Sequence, residues 1–170
     1  MSGNKNKKIA FNYFGGKFTW LEYLYANFPA GFTHLVDLFA GSMVVSINYH
    51  GNVIRTANEI NGEITNFFAQ LRDHEEELVR ALRLTPYSEA EFDNSWVNDD
   101  TGISDLERAR CFYVRVRQSF FGLGHNGKIK AGTWPNNRSE HRPVRVYLVG
   151  KMPSRSCTMW QSRFAIISKL

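Results

Sequence analysis

The sequence predicts an α/β protein of the doubly wound kind, joined to a helical subdomain. Three observations predict it. Leu35 to Phe39 is a short apolar run, interrupted by Asp37, that ends in Ala40-Gly41-Ser42 and leads into Met43 to Tyr49. This reads as a buried strand, a tight turn at Gly41 and a helix capped by Ser42. Asn52 to Ala57 then reads as the next strand, with Glu59 just past its end, 22 residues after Asp37 (59 − 37 = 22). Asn61 to Leu84 keeps an i, i+3, i+4 apolar rhythm through Ile64, Phe67, Phe68, Leu71, Leu78, Val79 and Leu82, the pattern of an amphipathic helix.

A strand–turn–helix–strand unit places its ligand crevice off the carboxyl ends of the strands. Amide groups at the helix start would favour an anion there, and an acidic residue about 20 positions on can hold a ribose hydroxyl pair. The same pattern also fits an ordinary βαβ core with a surface Glu.

Before this unit, Tyr13-Phe14-Gly15-Gly16-Lys17 lets backbone approach a ligand closely and puts one cation beside it. It lacks the G-x-x-x-x-G-K-[ST] pattern of a phosphate-binding loop. A helix from Thr19 to Asn27 should turn Trp20, Leu21, Leu24 and Phe28 inward. After the long helix, Pro86 is a stop. Ser88-Glu89-Ala90-Glu91 and Ser104-Asp105-Leu106-Glu107 each match a capping box and start helices at about Glu89 to Trp96 and Asp105 to Ser119. The acidic block Asp73 to Glu77 reads as a solvated face. Three helices in a row break strand–helix alternation, so the expected division is an α/β part at 1–84, a helical subdomain at 85–135 and a basic tail at 136–170.

Composition narrows the classes. With 170 residues, 43% hydrophobic and 22% charged, the chain can bury a sizeable core. No apolar run approaches the ~20 residues that span a bilayer, and the Lys-rich start has no signal-peptide core, so a cytosolic protein is expected. Cys111 and Cys157 form no C-x-x-C pair and read as two reduced thiols. His125 has no ligand-spaced partner, so no metal is expected. The net charge of +5 is uneven: residues 136–170 hold seven Lys/Arg against one Glu. Such a tail suits a phosphate backbone, and equally a solvated end. Arg108, Arg110, Arg115 and Arg117 lead into a Gly-rich stretch in which Phe120, Phe121 and Trp134 alternate with Lys128 and Lys130. Cations for phosphates beside aromatics that stack on bases suit a nucleic-acid surface; a hairpin whose aromatics face a core fits as well.

Four stretches, in order and spacing, resemble the Dam-type DNA adenine-N6 methyltransferases: Tyr13 to Lys17, Asp37 to Ser42, Asn58-Glu59-Ile60-Asn61 and Arg117 to Leu123. The resemblance covers about residues 9–135. It implies the N-terminal part of a Rossmann-like methyltransferase sheet with a target-recognition subdomain, S-adenosylmethionine as cofactor, double-stranded DNA as partner and a place in restriction–modification. It implies that Tyr13, Phe14 and Lys17 hold the methionine end. Asp37, Phe39, Gly41 and Ser42 would form the turn under the cofactor, Glu59 would take the ribose hydroxyls and Ile60 the cofactor adenine. Arg117, Phe120, Phe121, Lys128 and Lys130 would touch DNA.

The chain departs from the family in three places. Met43 stands where the family usually has Gly, and Phe121 where it has Asn. The third is larger: the family's Asp-Pro-Pro-Tyr, which holds the flipped adenine, is absent, since the five prolines are all isolated and no Asp occurs after Asp105. The sequence reads as a truncated methyltransferase, inactive alone, with a second polypeptide as one source of the missing half. A divergent tail that packs as replacement strands is the less favoured reading. Two other function classes remain: a catalytically dead DNA-binding module, and a nicotinamide enzyme, against which the missing G-x-G-x-x-G counts.

Overall fold

Short strands, the first an apolar run broken by Asp37, make a small parallel sheet, and a 3.6-residue rhythm makes a helical cluster. The computed structural model describes residues 7–97 and 102–119 and the backbone of 164–167. Of these, 7–10, 15–61 and 164–167 belong to one compact unit, and 11–14, 62–97 and 102–119 to a second.

In the first unit a 3-10 turn at Phe18–Trp20 leads into α1 (Leu21–Ala26), followed by β1 (His34–Leu38), α2 (Val44–Asn48) and β2 (Ile54–Asn58). β1 and β2 pair in parallel, His34 opposite Ile54 and Leu38 opposite Asn58. Leu35 and Asp37 turn inward from β1, and Leu35 packs with Leu21, Val44, Val45 and Val53 from α1, α2 and the residue before β2. The other face is open: Val36 and Leu38 are 50% and 58% exposed, and Ile54 56%. Parallel sheets are ordinarily buried on both faces, so this surface is unusual for its class.

β3 (Phe164–Ile167) pairs in parallel with β2, giving the order β1-β2-β3. The tail thus supplies one strand, as the less favoured reading of it allowed. The far edge of β2 offers unpaired N–H and C=O groups, and a four-residue apolar run is sufficient to pair with them.

The second unit holds α3 (Gly62–Asp73), α4 (Glu75–Leu84), α5 (Glu89–Asn94) and α6 (Asp105–Gln118). α6 packs against the other three. Its core is aromatic: Phe11 meets Phe67 and Phe112 edge-on with centroids 5.3 Å apart, and Phe67 stacks on Tyr113 at 5.6 Å. Both serine N-caps form, the Ser88 and Ser104 hydroxyls each accepting from a backbone N–H at 3.2 Å, that of Glu91 and of Glu107, while the two carboxylates turn to Arg110. Asp73 to Glu77 is exposed, as its charge requires.

Local details differ from the sequence reading. The helix expected over Asn61 to Leu84 is two, because His74 leaves helical geometry (φ −135°, ψ 43°), although hydrogen bonds continue across the bend from His74 N–H to the Gln70 carbonyl and from Leu78 N–H to that of His74. The two halves thereby bury different faces, Ile64, Phe67 and Phe68 on α3 and Leu78 and Leu82 on α4. Trp20 is exposed rather than inward, because the 3-10 turn that carries it has no buried side chain.

Two of the four arginines of α6 serve the fold. Arg110 donates to Glu107, Glu91 and Thr85, and the Glu107 carboxylate foremost keeps its guanidinium protonated. Arg115 is buried, pairs with Glu63, donates to the Ser95 carbonyl and lies 5.3 Å from the Trp96 ring centre. Glu63 is partly exposed and keeps its solvation, so Arg115→Ala chiefly leaves the buried Ser95 carbonyl without its donor and should cost about 1–3 kcal/mol in urea unfolding. Arg72→Ala, which removes only an exposed pair with Asp73, should change stability by less than about 1 kcal/mol.

Candidate cofactor site

A sharp turn follows the carboxyl end of β1 and lies beside the carboxyl end of β2. Three of its residues have left-handed backbone: Phe39 (φ 53°), Gly41 (φ 53°) and Met43 (φ 55°). Only Gly41 adopts this without steric cost; each of the others carries about 1 kcal/mol of strain. Met43 sits in the position for which a glycine is suited, which gives its departure from the resembled pattern a physical meaning. Its side chain is fully buried, and that burial offsets the strain.

The turn also corrects the expected cap. α2 begins at Val44, its N-cap is Met43, and no side chain caps it; Ser42 is buried one residue earlier. A left-handed N-cap points the chain differently from the extended one that lets a serine hydroxyl reach back.

Glu59 ties the turn together. Its Oε2 accepts from Gly41 N–H at 2.6 Å and its Oε1 from Asn61 N–H at 2.9 Å, while Ala40 N–H donates to the Asn58 carbonyl at 3.0 Å. Glu59 is only 6% exposed. An external anion at the helix start is thus not what the Gly41 amide is offered to: the carboxylate of Glu59 already accepts from it. A carboxylate has about four acceptor positions, so two remain for hydroxyl donors.

Beside this lies a second pair. Lys17 donates to Asp37 Oδ1 at 2.7 Å and to the Leu38 carbonyl at 3.2 Å. Ser46 Oγ donates to Asp37 Oδ2 at 3.3 Å. Burial, and after it the charge of Asp37, pushes the Tyr25 phenol above its ordinary range, and its O–H donates to the Val45 carbonyl at 2.7 Å. Phe39, 79% exposed, and Ile60 leave apolar surface at the strand ends.

Lys17, Asp37, Phe39, Gly41, Ser42, Glu59 and Ile60 therefore all lie in one unit, around the ends of β1 and β2. Tyr13 and Phe14 belong to the other unit, where the Tyr13 ring meets that of Phe11 and Phe14 is exposed. Arg117 lies in the last turn of α6 and is partly exposed. Phe120, Phe121, Lys128, Lys130 and His125 lie outside the described residues. Ser46 escaped the sequence reading; a small polar residue among Val44, Val45 and Ile47 was the signal for it.

The donor set fits a ligand with a carboxylate, vicinal hydroxyls and a flat ring. Lys17 retains one ammonium hydrogen, Glu59 retains acceptor positions, and Phe39 and Ile60 offer apolar contact.

A family model described as D12 class N6 adenine-specific DNA methyltransferase matches residues 13–143. No curated protein matches the chain. Removing the Glu59 carboxylate would leave a buried N–H without its acceptor. Glu59→Ala should therefore cost about 1–3 kcal/mol, and Glu59→Gln, which keeps an acceptor oxygen, less, both read from denaturant midpoints.

Proposed function

The chain belongs to the D12 class N6 adenine-specific DNA methyltransferase family, and from that premise we propose that it binds S-adenosylmethionine at the ends of β1 and β2. The observation that carries this is the Glu59 carboxylate beside the Gly41 turn with the Lys17–Asp37 pair next to it. In this reading Lys17 holds the methionine carboxylate, Glu59 receives the ribose hydroxyls, and Phe39 and Ile60 flank the adenine. Ser42 and Asp37 support the turn. The bound cofactor supplies a methyl group on a sulfonium. The sheet is the first part of a Rossmann-like methyltransferase sheet.

The target-recognition part spans 85–135, with α5 and α6 as its helices, and 136–170 is the basic tail. Arg117, Phe120, Phe121, Lys128 and Lys130 contact double-stranded DNA. The inward roles of Arg110 and Arg115 leave Arg117 as the better placed of the α6 cations for phosphate. The protein acts in the cytosol; no helix among the described residues is long and apolar enough to cross a membrane.

Methyl transfer further needs groups that accept hydrogen bonds from the target amine, and the sequence has no Asp-Pro-Pro-Tyr to supply them. We therefore expect these 170 residues by themselves to transfer no methyl group; one source of the missing groups is a second polypeptide. The second reading, a catalytically dead DNA-binding module, rests on the same basic residues.

Incubation with radiolabelled S-adenosylmethionine and an adenine-containing duplex should leave the DNA unlabelled, while calorimetry detects cofactor binding and none of NAD. Label in the DNA would overturn the inactivity; binding of NAD alone would overturn the cofactor. Arg117→Ala should weaken duplex binding across sequences and lower the salt slope by about one, measured by fluorescence anisotropy over a salt series. An unchanged slope would remove Arg117 from the interface.

A further inference from the structure

Asp37 was expected to touch the cofactor. Its side chain is only 2% exposed, against 35% for Lys17. Both carboxylate oxygens are engaged, Oδ1 by Lys17 and Oδ2 by Ser46. Glu59 is comparably buried, but its partners are fixed backbone amides, whereas Asp37 is spent on the movable head group of a lysine. It is the lysine that reaches outward, anchored on Asp37 and on the Leu38 carbonyl at the end of β1. We propose that Asp37 is a positioning residue: its buried carboxylate, backed by Ser46, holds the Lys17 ammonium at the end of β1, where its remaining hydrogen captures the carboxylate end of the methyl donor. The inference rests on the S-adenosylmethionine reading above and assigns within it which residue touches the ligand and which sets the other in place.

Two physical effects oppose each other here. A free lysine side chain loses rotamer entropy on binding, which a preorganised one need not lose. Against that, Asp37 neutralises the lysine and weakens its pull on an anion. Lys17 is partly exposed but Asp37 is buried, so solvent and salt screen the pair only in part. Which effect wins is read from the sign of the Asp37→Asn change in binding.

The test compares two ligands, S-adenosylmethionine and 5′-methylthioadenosine, which lacks the amino-acid end. Binding of both is measured calorimetrically to the full chain and to Lys17→Met, Asp37→Asn and the double variant, with thermal unfolding as a control of folding. Asp37→Asn should weaken S-adenosylmethionine roughly tenfold, the scale of one charge-assisted hydrogen bond. It should leave methylthioadenosine within about twofold, a difference of less than half a kcal/mol. The double variant should bind like Lys17→Met, because the carboxylate acts only through the lysine. Ser46→Ala, a milder change that spares the ion pair, should shift the same ligand in the same direction by less.

Equal losses for both ligands would make Asp37 a general support of the fold and overturn the proposal. Additive losses would make it a direct ligand contact, with the same consequence. Tighter binding of S-adenosylmethionine by Asp37→Asn, fading as salt rises, would show that neutralisation outweighs placement and would also overturn it. If the unaltered chain binds methylthioadenosine but not S-adenosylmethionine, the Lys17 role fails while the nucleoside reading stands. If it binds neither, both fail.

Discussion

One carboxylate joins the two strand ends on which the site depends. Glu59 accepts the Gly41 amide with one oxygen and the Asn61 amide with the other. The turn after β1 and the chain after β2 are thereby locked at a common point. Without it, the left-handed residues Phe39 and Met43 would have little reason to keep conformations that L side chains resist. The hydrogen bond from Ala40 N–H to the Asn58 carbonyl adds a second tie at the same place. Strain in the turn, burial of Met43 and the bonds of Glu59 are one balanced arrangement, and the exposed Phe39 and Ile60 are held at its rim.

Charge is balanced locally around that turn. The Glu59 negative charge is met by backbone N–H groups, the Asp37 charge by Lys17 and Ser46. Neither carboxylate is left buried without a donor, which would be costly. Two oxygens with spare acceptor capacity and one ammonium with a spare hydrogen remain, so the site can bind polar groups without first breaking its own bonds. The second unit obeys a similar logic with a different result. Arg110 and Arg115 are absorbed by Glu107, Glu91 and Glu63, and α6 thereby becomes the centre of its cluster rather than a uniformly basic face.

Much of this was legible in the residues. The apolar run ending in Ala-Gly-Ser located β1, and Glu59 stood out by its distance from Asp37. The capping boxes at Ser88 and Ser104 marked two helix starts because the required hydroxyl and spacing are local. The features that were not legible depend on partners distant in sequence or on backbone shape. That Met43 replaces Ser42 as cap is set by a φ angle, and nothing in the letters distinguishes a left-handed Met. That Arg115 lies inside is set by Glu63, 52 residues away. A single rhythm over Asn61 to Leu84 concealed the bend at His74, since both halves keep helical spacing. Phe164–Ile167 pairs with β2 across more than a hundred residues, and so short a run carries too little pattern to announce itself.

The central claim is that the ends of β1 and β2 receive the methyl donor. It is tested most directly by amide spectra of isotope-labelled protein titrated with S-adenosylmethionine. The account predicts that the resonances of Gly41, Asn61 and Lys17 move together and saturate at one affinity, while those of α4 stay in place. Resonances that move on α4 and not at Gly41 or Asn61, or a spectrum that does not change, would contradict it.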